Sequence, residues 1–349
     1  MPNFTGTLRP NEIFGALFNM IISQQVFADN VKGTYSTLVD KARVDGTLYG
    51  DTKLYYATDA LQSYAWGGDD EAANLLELNR PAAPKCQAIV IDEFRQIRLT
   101  VDDYLSKRAW GTEGAFSSFT SIMKGWIRDT KKIYDSTLYN AYIGTAVAAT
   151  PGQNKTITLV ADTNDGLQYA EFLANLLVEL KDVSRDFNDY GYIRSYDEGD
   201  LMVVWNAKFY NSIKKIDLPV IFHQQGLVSE FDQEVLPARY FGTVNTGTKA
   251  GDGKTVRSLI EQVIGSNHYF AGDLIKSGDT APAGTSYTEA NDIAFKVIHK
   301  KSVPYMSAFE VGTSFFNARS LTTNHYLTFG HNTIEYLKNY PFITVKVSG

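Results

Sequence analysis

The stretch Cys86–Val101, CQAIVIDEFRQIRLTV, decides how this chain is read. Its composition is that of a β-strand, yet ordinary strands run to about 5–6 residues. At about 3.3 Å per residue it spans about 50 Å when extended. Successive strand side chains point to opposite faces. Ile89 and Ile91 therefore share one face, Phe94 points to the other, and Ile97, Leu99 and Val101 return to the first. Glu93 and Arg95 break that first face with charge. A strand of this length, broken in the middle, is expected to outrun its own core.

The flanks of the stretch support that expectation. Residues 67–84, GGDDEAANLLELNRPAAP, are rich in Gly, Asp, Ala and Pro and read as a polar loop tip. Residues 35–65 read as extended, with turn signals at Asp45-Gly46 and Tyr49-Gly50-Asp51 and a strand at Leu54–Thr58. Together, residues 45–104 read as an extended hairpin arm. On the other flank, Gly114–Ile143 reads as one long amphipathic helix. Phe116, Phe119, Ile122, Met123, Trp126, Ile127, Ile133, Tyr134 and Leu138 recur at three- and four-residue steps, and Gly144 is a natural stop. Phe119, Met123, Trp126 and Ile133 are its expected core residues. Arg128, Asp129, Lys131 and Lys132 mark its charged face.

Composition narrows the function classes. The chain has 349 residues, is 44% hydrophobic and 21% charged, and carries a net charge of −6. Those values fit a globular protein and argue against a surface built to grip nucleic acid. The single cysteine, Cys86, rules out an intrachain disulfide framework and a cysteine metal site, and fits synthesis in a reducing cytoplasm. Met1–Gly6 lacks the basic segment and apolar run of a signal peptide, so none is expected. Ile13–Ile22, with Gly15 and Asn19 inside it, is too short to span a bilayer, and no membrane association is expected.

Further along, Asn11 reads as the cap of a helix carrying Ile13, Phe14, Leu17, Met20 and Ile21. A strand is expected at Lys155–Val160, a helix at about 166–187, a buried strand at Leu201–Trp205 and a short helix after Asn206. Residues 243–255 and 275–290 read as polar loops, with a helix at 256–264 between them. Residues 293–349 read as strands with a helix near 332–338, ending in the strand Phe342–Val347.

Catalytic patterns are weak. Gly247–Thr255, GTKAGDGKT, resembles a phosphate-binding loop but has five residues between its outer glycines where the motif needs four. His331 and Glu335 lie four apart, but two ligands do not make a metal site, and a structural histidine is the expectation. The acidic pairs Asp92-Glu93 and Asp102-Asp103 are adjacent strand residues that point apart. No enzyme activity, cofactor or metal is expected.

The order of elements, and the wording of residues 92–145, DEFRQIRLTVDDYLSKRAWGTEGAFSSFTSIMKGWIRDTKKIYDSTLYNAYIGT, resemble the major capsid protein of tailed bacteriophages. That family has an α+β Hong Kong 97-type fold. The resemblance implies an N-arm at 1–44, an extended loop at 45–107, a peripheral domain around a spine helix at 108–160, an axial domain at 161–295 and a return to the peripheral domain at 296–349. It implies pentamers and hexamers that close an icosahedral or prolate shell around double-stranded DNA, held by non-specific proximity. A long scaffolding pre-segment is not expected, so a separate scaffolding protein is implied, as are a portal and decoration proteins. The chain would be made in the bacterial cytoplasm and end in the virion. On this reading Ile89, Val90, Ile91 and Trp66 face the next subunit, and Glu93 and Arg95 make intersubunit ion pairs at the crossing. An encapsulin-like cellular shell and a nucleotide-dependent enzyme using the 247–255 loop remain as alternatives.

Overall fold

The computed structural model describes residues 37–46, 51–63, 78, 80–102, 113–160, 165–214, 232–245, 286–290 and 292–348. The expected helix after Asn11, Trp66, the 247–255 loop, most of the 275–290 loop and the expected helix at 256–264 lie outside them. In chain order the elements are helix α1 (Thr37–Ala42), strands β1 (Arg43–Asp45), β2 (Thr52–Ala57) and β3 (Lys85–Asp102), helix α2 (Glu113–Thr145), β4 (Asn154–Thr158), α3 (Asp165–Lys181), β5 (Leu201–Asn206), α4 (Ala207–Lys214), β6 (Asp232–Leu236), β7 (Gly242–Asn245), β8 (Ser286–Glu289), β9 (Ile293–His299), β10 (Tyr305–Asn317), β11 (Thr322–Asn332) and β12 (Phe342–Ser348).

Two five-stranded sheets carry the fold, in the orders β1-β10-β11-β3-β2 and β4-β12-β9-β5-β6, with a separate β7-β8 pair. The second sheet is covered on both faces at its centre, and β5 and β9 there are accordingly buried along their whole length, whereas the edge strands β4 and β6 are polar and partly exposed. Met202 and Val204 of β5 join α1 and α2 in one core cluster. Leu201, Val203 and Trp205 join α3 in another. The expected boundaries at 160/161 and 295/296 divide this sheet: β4 and β12 share it with β5 and β6, and β9 runs through 295/296.

The opening strand is 18 residues long. It reaches that length by changing partners. Residues 85–90 pair with β2, and residues 91–102 pair with β11. The charged break is a β-bulge at the handover. His331 faces Glu93 while Asn332 faces Ile91, leaving Asp92 as the extra residue. Its carboxylate accepts hydrogen bonds from the backbone N–H (2.8 Å) and hydroxyl of Thr333. A bulge leaves one residue unpaired and bends the strand, and here the unpaired residue's side chain ties down the chain that leaves β11.

Helix α2 runs two residues beyond the expected stop. Gly144 does not end it. A Cβ there would lie 1.9 Å from the carbonyl oxygen of Tyr240, so glycine is present for a close approach of two backbones. The buried stripe of α2 is Met123, Ile127, Tyr134, Leu138, Ala141, Tyr142 and Thr145. Trp126 is half-buried against Met123 and Val101. Ile133 is only half-buried, one residue and about 100° off the stripe, so it is not the core residue expected. Phe119 lies in the helix, and its side chain is outside the described set.

Two further expectations need correction. Residues 37–42 are helical, not extended, and bury Leu38, Val39 and Ala42 against α2. Residues 333–337 carry no helix. Their backbone is used instead by side chains: Gln87 donates to the Tyr336 carbonyl and accepts from the Lys338 N–H.

Candidate functional site

The β2–β3 ribbon has two unlike faces. In an antiparallel pair, directly opposed residues point the same way. Lys53 opposes Ile89, and Tyr55 opposes Gln87. This face lies on the body, where Ile89 and Ile91 pack with Met306 and Leu337. Thr52 opposes Val90, Leu54 opposes Ala88, and Tyr56 opposes Cys86. This face points outward, and Leu54, Tyr56 and Val90 are 52%, 66% and 38% exposed.

The expectation for the arm is thereby split. Ile89 and Ile91 are 3% and 1% exposed in the chain's own core and do not face a neighbour. Val90, between them, is exposed, and sequence reasoning missed Leu54 and Tyr56 beside it. The signal was present, because both alternate with Tyr55 and Ala57 on a strand whose inner face was already filled.

A latch fixes the outer end of the ribbon. Asp59 accepts a hydrogen bond from the Arg185 guanidinium at 2.8 Å and another from the Ile193 N–H at 2.9 Å. The Arg185 hydrogen bond, followed by that of Ile193, holds the Asp59 carboxyl down at about 2. Arg194 donates to the Thr58 carbonyl, and Lys85 donates to the Tyr190 carbonyl while its ammonium sits 5.1 Å from the rings of Tyr190 and Tyr192. Both strands of the ribbon are thus anchored to the 185–194 loop where they leave the body.

A polar junction fixes the inner end. Asp135 of α2 is buried and accepts from Arg43 of β1 (3.3 Å), Lys131 (3.1 Å) and the Tyr305 hydroxyl of β10 (2.7 Å). Next to it, Tyr134 shares a 3.0 Å hydrogen bond with His331 of β11, whose other ring nitrogen lies 2.8 Å from the Asn332 carbonyl. Burial lowers the His331 pKa, so the ring is held neutral, a structural histidine. Arg95 of β3 lies over the Tyr134 ring, 5.8 Å from its centroid, and donates to its hydroxyl at 3.3 Å. Arg95 therefore binds the chain's own helix. Glu93 opposes His331 across the ladder and is half-buried. One helix thus gathers three strands, β1, β3 and β10, through charge-assisted hydrogen bonds in a poorly hydrated site.

These features position surfaces. Among the described residues there is no cluster of three metal-ligating side chains, and no helix is long and apolar enough to cross a membrane. A cleft of ≈ 520 Å³ lies between α2 at Ile127 and Arg128 and the outer parts of β10 and β11, and its lining includes Ser314, whose hydroxyl lies 2.9 Å from His325 Nδ1.

The same architecture recurs in solved phage heads. A chain of the capsid structure of Staphylococcus phage Andhra matches 94% of this chain and 88% of its own length, with a TM-score of 0.66 at 10% identity. A chain from the structure of the head fiber and inner core protein gp22 of native bacteriophage P68 gives a TM-score of 0.65 at 10% identity, over 93% of this chain and 87% of that one. The asymmetric unit of the bacteriophage PhiM1 mature capsid gives 0.50 at 11% identity, over 94% and 93%. No curated protein matches the sequence significantly. The fold is that of a phage capsid subunit, mixed helix and sheet. The family model of the Phi29-like phage major capsid protein matches residues 7–345, and the chain belongs to that family. It is a phage major capsid protein, a structural component of the virion that assembles with copies of itself into the shell.

Proposed function

We propose that the subunit closes its shell through the β2–β3 ribbon and the segment beyond its latch. Asp59 and Lys85 anchor the chain on either side of residues 60–84, and on this reading that segment contacts the next copy in a pentamer or hexamer. Trp66 belongs to that segment. The observation that supports this reading is the outward apolar face of Leu54, Tyr56 and Val90, continued by the exposed Leu61 and Leu78. An apolar patch held in fixed register on a monomer marks an interaction surface. In Hong Kong 97-type terms, α2 is the spine helix, residues 45–107 are the extended loop, and the outer segments of 161–295 meet around the capsomer axis. A head-to-tail contact of this kind closes rings when repeated by rotation.

The remaining roles follow from the shell. The chain performs no catalysis. It is made in the bacterial cytoplasm, assembles on a separate scaffolding protein around a portal, and encloses double-stranded DNA that its net charge of −6 does not grip. The test is the double substitution Leu54→Asp with Tyr56→Asp. Subunits should fold with unchanged circular dichroism, while electron micrographs show few or no shells. Shells at wild-type yield would remove the ribbon from the assembly surface.

A further inference from the structure

Strand β10 has partners on both sides only at its start. β1 pairs with Tyr305, Met306 and Ser307, and β11 pairs along the other side as far as Asn317. From residue 308 onward, among the described residues, β10 is a sheet edge. Residues Val311–Asn317, VGTSFFN, contain no charge and no proline. They lack the Lys, Pro or inward charge with which natural edge strands prevent pairing. Every one of them is exposed, and Val311 and Phe315 are 43% and 64% so.

The segment is complementary to itself. A twofold axis perpendicular to the sheet places residues of equal parity opposite one another. With the axis at Thr313, Thr313 meets its own copy, and Val311 meets Phe315 of the second copy, twice. Threonine–threonine and aromatic–β-branched pairs are favourable across strands. On the other face Gly312 meets Ser314. Both line the cleft beside Ile127 and Arg128, so small side chains keep the incoming strand clear of α2. A Cβ at Gly312 would meet nothing within 4 Å, so the approach is open.

We propose that the β10 edge pairs antiparallel with the β10 edge of a second copy, across a twofold axis at Thr313, joining neighbouring capsomers. This is an isologous contact, distinct from the head-to-tail contact of the ribbon. Seven residues a side make a small interface, so the pair forms within the shell and not between free subunits.

The register makes a sharp test. In a Cys86→Ser background, Thr313→Cys should give disulfide-linked dimers in oxidised shells, because facing residues lie about 5 Å apart. Val311→Cys alone should give none, since its two copies are about 14 Å apart, beyond the reach of a disulfide. Val311→Cys combined with Phe315→Cys should link again. Intact shells without dimers from Thr313→Cys, or dimers from Val311→Cys alone, overturn the pairing and leave the shell function standing. If Thr313→Cys subunits do not assemble, a charge pair decides. Val311→Lys should lower shell yield several-fold, and adding Phe315→Glu should restore it. The two residues are about 13 Å apart within one chain, so rescue comes only from the second copy, and lack of rescue overturns the pairing.

Discussion

Lys296 makes the fold sensitive to pH through a side chain that is fully buried. It sits in β9 on the helix-facing side, donates to the Ala146 carbonyl at the C-terminal end of α2, and lies 5.1 Å from the centre of the Phe342 ring. The end of a helix leaves carbonyls without partners and favours a cation, which explains why a lysine stands there. Desolvation, with a smaller push from Lys346, lowers its pKa from 10.5 to about 7. The folded state therefore releases a proton that the unfolded chain holds until about pH 10.5, and stability rises with pH between those values. From pH 7 to pH 9 this one group contributes about 2 kcal/mol. Lys296→Met keeps the length of the side chain and removes the titration. Urea unfolding of free subunits, followed by tryptophan fluorescence at pH 7, 8 and 9, reads the difference between the two proteins and cancels the other groups. Wild type should gain about 2 kcal/mol on the variant over that range. A difference that stays flat from pH 7 to 9 refutes the buried, titrating lysine.

Two glycines of α2 should respond oppositely to alanine. Gly125→Ala meets nothing within 4 Å and should stabilise the subunit by up to about 1 kcal/mol through helix propensity. Gly144→Ala forces a Cβ to 1.9 Å from the Tyr240 carbonyl, where backbone cannot step aside, and should cost more than propensity returns, seen as a Tm drop of several degrees. Arg95→Glu should lower the Tm of the free subunit, because it removes the stack on Tyr134 and brings a carboxylate toward Asp135; an unchanged Tm with impaired assembly would return Arg95 to the subunit interface.

The long helix and the long strand were legible because their patterns persist. A 3.6-residue period over thirty positions fixes α2 within two residues at its C-terminal end. The single face expected from Ile89 to Val101 does not hold, because the bulge at Asp92 inverts the alternation: Ile89 and Ile91 pack with Phe94, Met306 and Leu337, whereas Ile97 and Leu99 pack on the opposite face against the α2 cluster. Alternation reports that a face is covered, not which copy covers it. Ile89 and Ile91 were therefore assigned to a neighbour, when Met306 and Leu337 of the same chain cover them. Nor does it report hydrogen-bond partners, so the handover from β2 to β11 at Val90 and Ile91 left no trace except the charged Asp92, whose role at the bulge depends on Thr333, 241 residues away. The polar junction is hidden for the same reason: Arg43, Arg95, Asp135, Tyr305 and His331 come together only when four strands and a helix meet. Around 332–338 the sequence reads as a helix, and hydrogen bonds with Gln87 and Asp92 hold the backbone there as irregular chain.

The most direct test of the shell and its arm is an electron cryomicroscopy map of assembled particles at a resolution that traces the chain. Closed shells with the chain in five- and sixfold rings, and with residues 60–84 lying on the adjacent copy, are the expected result. A small oligomer, or density that places residues 60–84 on their own subunit, contradicts it.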